Sequence, residues 1–258
     1  MIGITRRRHS SARFSPSATA PRAERRQGRR GRPALLAVVV AALAASVLSA
    51  PPSSAASAPW AACTNGYVGL TFDDGPNPAT TPALLNALRA GGARATWFVW
   101  GQRAQQNPSL LRSTVEAGMW IGNHTWTHPH LTQIGQAAVH DEISRTQTFL
   151  RQATGQTPTL FRPPYGETNA QVRDTARQLG ITGEVMWNVD SRDWAGASTA
   201  QIVQAASTLR NGDIILMHDG YQTTVNAVPQ ILSGLSSRGL CPGRIVGGTD
   251  LRPIVTAP

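Results

Sequence analysis

The chain has 258 residues, a hydrophobic fraction of 41% and a formal net charge of +10, enough for one large domain with a core and a short appendage. All 24 basic residues are Arg, and ten of them precede residue 34 against a single acid, Glu24. Beyond that stretch 24 − 10 = 14 Arg face 14 − 1 = 13 acids, a net +1, so the basic balance belongs to the leader and gives no ground for a nucleic-acid-binding domain.

The leader comes first in chain order. An Arg-rich segment runs to Arg32, an Ala-rich apolar run follows from Ala34 to Ala50, and small residues with prolines lead to Ala56-Ser57-Ala58. This layout predicts an export signal over residues 1–58, cleaved after small residues, and a secreted product with no stable membrane anchor. Seventeen mildly apolar residues fall short of the ~20 that span a bilayer. The pair Arg29-Arg30 raises the twin-arginine route of export, although the residues after it match that signal poorly. Two cysteines remain, Cys63 and Cys241. In an exported protein two distant cysteines are expected to pair, the alternative being two separate buried thiols. Closing so long a loop is worth about 4–5 kcal/mol in chain-entropy models.

From Gly66 onward short apolar runs alternate with amphipathic stretches. Strands are predicted at Tyr67–Phe72, Ala95–Trp100, Trp120–Asn123, Thr159–Arg162, Ile181–Val189 and Asp213–Met217, with Arg244–Val246 as a seventh candidate. Helices are predicted from a Thr81 cap with Pro82 behind it to Ala90, from Asn107-Pro108 to Gly118, and over Gln136–Thr154. Further helices follow at Thr168–Leu179, Thr199–Leu209 and Val225–Arg238. This alternation indicates a parallel α/β architecture, which a doubly wound sheet and a barrel both satisfy. Asp73/Asp74, His124/His128, Arg162, Asp190/Asp193 and His218 each stand at or just after the end of a different predicted strand. Such positions all meet at one face of a barrel, whereas in an open sheet only those near a switch point converge. About 180 residues separate the two cysteines, against about 250 in a full eight-unit barrel, so a shortened barrel is expected.

Asp73-Asp74 is followed by Gly75-Pro76, which is also ordinary turn chemistry. Two crowded carboxylates repel, and a metal can hold one ionised while the other acts as a base. His124-Thr125-Trp126-Thr127-His128 brings two imidazoles within reach of one cation, and with one carboxylate this donor set suits zinc or another divalent transition metal. His130 and His140 have no matching partner and read as structural or solvated. Arg162-Pro163-Pro164-Tyr165-Gly166 offers an Arg for a site carboxylate and a rigid backbone that could aim the Tyr165 N–H at a bound oxygen. Asp190-Ser191-Arg192-Asp193-Trp194 and Leu216-Met217-His218-Asp219 are each ordinary when taken singly.

Together these five stretches, in this order, resemble the polysaccharide deacetylases of carbohydrate esterase family 4, the NodB-homology domain, over about Gly66 to Cys241. The runs Gly66–Pro76 and Phe161–Asn169 are most similar to secreted bacterial acetylxylan esterases. The resemblance implies a distorted (β/α)7 barrel as a single catalytic domain at 63–245, with a short tail at 246–258. It implies Asp73 as general base and Asp74, His124 and His128 as ligands of one zinc or cobalt ion. Arg162 would orient Asp73, and the Tyr165 N–H would serve the oxyanion. His218 would be the general acid, oriented by Asp190, and Trp194 and Leu216 would line the pocket for the acetyl methyl. The implied partner is an acetylated polysaccharide, acetylated xylan first, and a monomer is expected.

The same groups can cleave an amide, so an N-deacetylase of chitooligosaccharides or peptidoglycan stands as the alternative. A non-catalytic carbohydrate-binding protein is a further one. The sequence has no Gly-x-Ser-x-Gly nucleophile elbow, so no covalent enzyme intermediate is called for. Trp100, Trp126, Trp187 and Trp194 offer surfaces for sugar stacking, although tryptophan in a strand is more often core.

Overall fold

The alternation within the first strand already sorts core from site. In β1 (Tyr67–Asp73), Val68, Leu70 and Phe72 turn to one face and join the large apolar cluster under the helices. The period of two sends Gly69, Thr71 and Asp73 to the other face. There a Cβ on Gly69 would stand 2.9 Å from Ile245, and Thr71 and Asp73 both meet the Arg162 guanidinium. The computed structural model describes Trp60 and residues 63–258. The Arg-rich leader, its apolar run and the expected cleavage site lie outside the described residues.

Strand β1 pairs in parallel with β2 (Thr96–Val99) on one side and with β7 (Ile214–His218) on the other. With β3 (Trp120–Asn123), β4 (Leu160–Phe161), β5 (Gly183–Glu184) and β6 (Val189–Asp190), the sheet runs β5-β4-β3-β2-β1-β7-β6. Strands β5 and β6 are its two edges, yet only four residues separate Glu184 from Val189. Five extended steps cover at most about 18 Å. A flat seven-strand sheet would part its edges by about 29 Å. The sheet therefore curls into an open, distorted (β/α)7 barrel, as expected from the sequence.

Among the described residues seven helices wrap it: α1 (Thr81–Ala90), α2 (Gly101–Gln106), α3 (Pro108–Glu116), α4 (Gln136–Thr154), α5 (Ala170–Gln178), α6 (Thr199–Ala206) and α7 (Gln222–Ser237). Helix α2 is an addition to the predicted set; it stops at Asn107 (φ −132°), and Pro108 opens α3. Thr81 does not serve as the cap of α1, because its hydroxyl is drawn off to the buried carboxylate of Asp219. The predicted strand Ile181–Val189 is two short strands on opposite edges of the sheet. Between them the carbonyls of Val185 and Met186 turn inward to accept from Arg162 Nε and Nη2. Arg244–Val246 (β9) is a strand, but it pairs antiparallel with β10 (Ile254–Thr256) outside the main sheet, so the C-terminal residues fold back on the domain.

Cys63 and Cys241 form the expected disulfide, with Cα atoms 5.4 Å apart and a sequence separation of 178. Cys241 also lies in β8 (Cys241–Pro242), which pairs in parallel with the start of β1, so bridge and sheet fasten the same place. Among the described residues no helix is long and apolar enough to cross a membrane.

Candidate active site

Because every strand of the sheet is parallel, the residues that end β1, β3, β4, β6 and β7 reach the same rim. There an open cleft of about 300 Å³ is lined by Asp73, Asp74, His124, His128, Asp190 and His218, with Tyr165, Trp187, Trp194, Leu216 and Tyr221 completing the wall.

Arg162 is fully buried inside the barrel, its charge stacked 4.2 Å from the Phe98 ring. Nη1 donates to Thr71 Oγ1 and to Asp73 Oδ1, both at 2.8 Å. Asp73 thus has one oxygen engaged, while Oδ2 stands 3.8 Å from His124 Nε2. Burial raises the Asp73 carboxyl above its ordinary value, against the lowering pull of Arg162 and His218.

Asp74 follows in a left-handed conformation (φ 69°) that turns it from the strand while its N–H donates to Phe98 O. The backbone crowds here: a Cβ on Gly75 would fall 2.6 Å from Asp219 Oδ2 and 2.8 Å from Trp97 Cδ1, so only glycine fits. Asp74 Oδ1 is 3.6 Å from His124 Nε2 and 3.4 Å from His128 Nε2, and it is buried with no hydrogen-bond partner among the described residues. An orphaned carboxylate oxygen facing two ring nitrogens calls for something between them.

The imidazoles suit that task. His124 Nδ1 lies 2.6 Å from the carbonyl of Arg162, which places the proton on Nδ1 and leaves Nε2 a free lone pair. Burial pulls its pKa down to about 3 despite Asp74, so the ring is neutral. Burial likewise lowers His128, against the upward pull of Asp74 and Asp73. His128 is wedged between Trp100, stacked at 4.9 Å, and the Tyr165 ring, met edge-on at 4.8 Å. The donor atoms of Asp74, His124 and His128 all lie within 4.8 Å of one another. Two neutral nitrogens and one carboxylate oxygen fit a divalent transition ion and leave coordination positions open.

The arrangement around His218 differs from expectation in one partner. Its Nδ1 lies 2.7 Å from Asp193 Oδ1, and its backbone N–H donates to Asp193 Oδ2 at 2.7 Å. Thr224 completes the shell of that fully buried carboxylate. Asp190, expected in this role, instead accepts from the Arg192 N–H and the Trp194 indole at the cleft wall. The reason is local: Arg192 adopts φ 56° and reverses the chain, turning Asp193 inward. Burial opposes the charge on His218, but the hydrogen bond to Asp193 and the charges of Asp73, Asp193 and Asp74 outweigh it and raise its pKa.

A pH profile follows. An acid held above its ordinary value works below its folded pKa and fails as pH rises through it. If His218 is the acid the sequence leads one to expect, Asp193→Asn, which removes the main stabiliser of its cation, moves the alkaline limb of kcat to lower pH by about 1–3 units. An unmoved limb in a pH–rate series would exclude His218 as the titrating acid.

Of the remaining predicted residues, Leu216 is buried and Trp194 is 51% exposed, both at the cleft. Trp126 is core, packed against Phe149, and offers no sugar surface. His130, expected to lack a partner, pairs with Glu167 and stacks on Tyr165 at 4.1 Å. His140 is exposed on α4. Sequence reasoning named Asp219 only as the end of the Leu216–Asp219 stretch and gave it no role; its buried carboxylate gathers Thr80, Thr81 and Trp97 behind the Asp73-Asp74 turn. Sequence reasoning missed Glu142, which holds the loop between the two histidines. Both act on groups far away in sequence, and neither lies at a helical or strand period that would flag it.

Comparison with known proteins points to one family. The polysaccharide deacetylase family model matches residues 62–183. A bifunctional xylanase/xylan deacetylase of Cellvibrio japonicus is 47% identical over 183 residues, 70% of this chain and 27% of that protein. The peptidoglycan-N-acetylglucosamine deacetylase PgdA of Listeria monocytogenes is 39% identical over 180 residues, 68% of this chain and 37% of its own. This chain therefore spans only about a quarter of the first relative and somewhat over a third of the second. A solved family 4 carbohydrate esterase from Streptomyces lividans, in complex with acetate, superposes with a TM-score of 0.72 at 56% identity, covering 75% of this chain and 98% of that one.

Proposed function

The chain belongs to the polysaccharide deacetylases of carbohydrate esterase family 4, and from that premise we propose that it hydrolyses acetyl groups from a polysaccharide, the O-acetyl esters of xylan first. The observation that carries this reading is the pairing, across one cleft, of a carboxylate with a free oxygen and an imidazole with a free nitrogen, beside the Asp74–His124–His128 donor set. A divalent transition metal held by Asp74, His124 and His128, zinc or cobalt, would polarise the acyl carbonyl and acidify the attacking water.

The chain's own groups handle the protons. Asp73 Oδ1 is tied to Arg162, so Oδ2 takes the proton from water as its oxygen bonds to the acyl carbon. The Tyr165 N–H donates to the oxyanion that develops; one such donor is typically worth about 10²–10³ in rate. His218 Nδ1 is tied to Asp193, so Nε2 delivers the proton to the sugar oxygen as the carbon–oxygen bond breaks. Acetate and a free hydroxyl leave, and proton exchange with solvent restores both groups. Leu216 and Trp194 supply an apolar seat for the acetyl methyl. Asp190 braces the Trp194 indole, a positioning role in place of the one expected for it.

The likeness to the Cellvibrio xylan deacetylase supports an ester substrate, and that to the Listeria peptidoglycan deacetylase keeps an amide as the second reading. The disulfide supports an exported, oxidising location, in line with the leader. Acetate release measured side by side on acetylated xylan and on N-acetylglucosamine oligomers is expected to be faster on xylan. Release from the oligomers alone would transfer the assignment to N-deacetylation.

A further inference from the structure

The loop that presents both histidines leaves the sheet at His124, whose N–H is the last to reach a strand carbonyl, Val99 O at 3.0 Å. The next four backbone N–H groups are all taken by side chains. Asn123 Oδ1 accepts from Thr125 at 2.9 Å, and Thr125 Oγ1 accepts from His128 at 3.2 Å. A single oxygen, Glu142 Oε2, accepts from Trp126 at 2.8 Å and from Thr127 at 2.7 Å. The other Glu142 oxygen accepts the Thr127 hydroxyl at 2.6 Å. Thr125 and His128 both adopt positive φ, 66° and 63°, which residues with a Cβ hold only where the surroundings impose it.

Asn123 and Thr125 belong to the loop or its root. Glu142 reaches it from α4, which is fixed by the buried Val139, Ile143 and Leu150 and by Asn123 Nδ2 donating to Ile143 O. On the opposite side the carbonyls of Thr125 and Trp126 accept from Gly101 and Gln102 at the start of α2. The loop is thus gripped by its donors from α4 and by its acceptors from α2.

We propose that Glu142 is a positioning residue for the metal-binding pair, setting the His124–His128 spacing through the Trp126 and Thr127 N–H groups without touching metal or substrate. The proposal rests on the metal reading above. It makes Glu142 a supporting group of the kind that tunes ligand geometry, although it binds the loop backbone rather than an imidazole. Substitution should therefore alter metal affinity and not only stability.

The test is a Zn2+ titration of the chelator-stripped protein against a chromophoric competitor, with thermal melts run in parallel. Glu142→Ala is expected to bind Zn2+ about 10–100-fold more weakly while still melting cooperatively. Glu142→Gln, equal in length and with a carbonyl oxygen able to accept both N–H groups, is expected to recover most of the affinity. If Glu142→Ala does not fold, Glu142→Asp takes its place, since its shorter side chain withdraws the carboxylate from the loop. Wild-type affinity in the Ala or Asp variant, or a Gln variant as weak as they are, would overturn the assignment. A wild-type protein that binds no Zn2+ would instead sink the metal reading on which it rests.

Discussion

Replacing Asp73 with Asn is expected to lower kcat by about 10²–10⁴ while Zn2+ still binds, because the change removes the proposed general base and none of the three proposed donors. The side chain keeps its shape: the amide oxygen can still accept from Arg162 Nη1, where Asp73 Oδ1 now sits at 2.8 Å. What is lost is the oxygen facing His124, which becomes an NH2 unable to take a proton. The exchange also leaves a fully buried Arg162 without its anionic partner, and breaking such pairs costs about 3–5 kcal/mol. A lower melting temperature should therefore accompany the lost turnover. Acetate release, Zn2+ content and a melt, measured on the same preparation, separate these effects. Near-normal turnover would remove Asp73 from the base role, and loss of Zn2+ in the folded variant would move it among the ligands.

His124→Ala is expected to abolish both Zn2+ binding and turnover. Loss of a supporting group costs about 10–100-fold in metal affinity, so loss of a direct donor should exceed that. His124 is also the bridge between the two halves of the site. Its Nδ1 side locks to the Arg162 carbonyl at 2.6 Å, and its Nε2 side faces Asp74 and Asp73. The Ala variant leaves that buried carbonyl without a partner, a cost of about 1–3 kcal/mol. Metal analysis beside an activity assay distinguishes this variant from Asp73→Asn: one should lose both properties, the other turnover alone. A His124→Ala protein that retains Zn2+ would break the proposed ligand set.

Much of this could be read in the chain, and the reason is covalent. Asp73 and Asp74 are neighbours at the end of an apolar run, so the pleat sends Asp73 to the barrel interior whatever the tertiary detail. The same logic carried His124, Arg162 and His218 to one rim, since each follows a strand and the strands are parallel. What the pattern could not decide was any choice between groups that are equivalent in sequence and distinct in space. Asp190 and Asp193 are two acids after one short strand. Only the reversal at Arg192, together with Thr224 from α7 and the His218 N–H, turns Asp193 to the imidazole and leaves Asp190 at the wall.

The break between β5 and β6 has a similar origin. An apolar stretch that looks like one strand gives up two carbonyls to a guanidinium arriving from β4, and no local propensity signals that demand. Glu142 is the extreme case, because its partners are backbone N–H groups fifteen and sixteen residues away, and a backbone donor carries no side-chain identity. By itself the sequence determined the parallel alternation of strands and helices and the kinds of residue that meet at one rim, because periodicity and adjacency are properties of the chain, whereas the Cys63–Cys241 pairing was an expectation from export that the structure bore out. Which carboxylate holds His218, and what holds the histidine loop, was decided by the tertiary structure, because those contacts depend on which polar groups packing leaves in need of a partner.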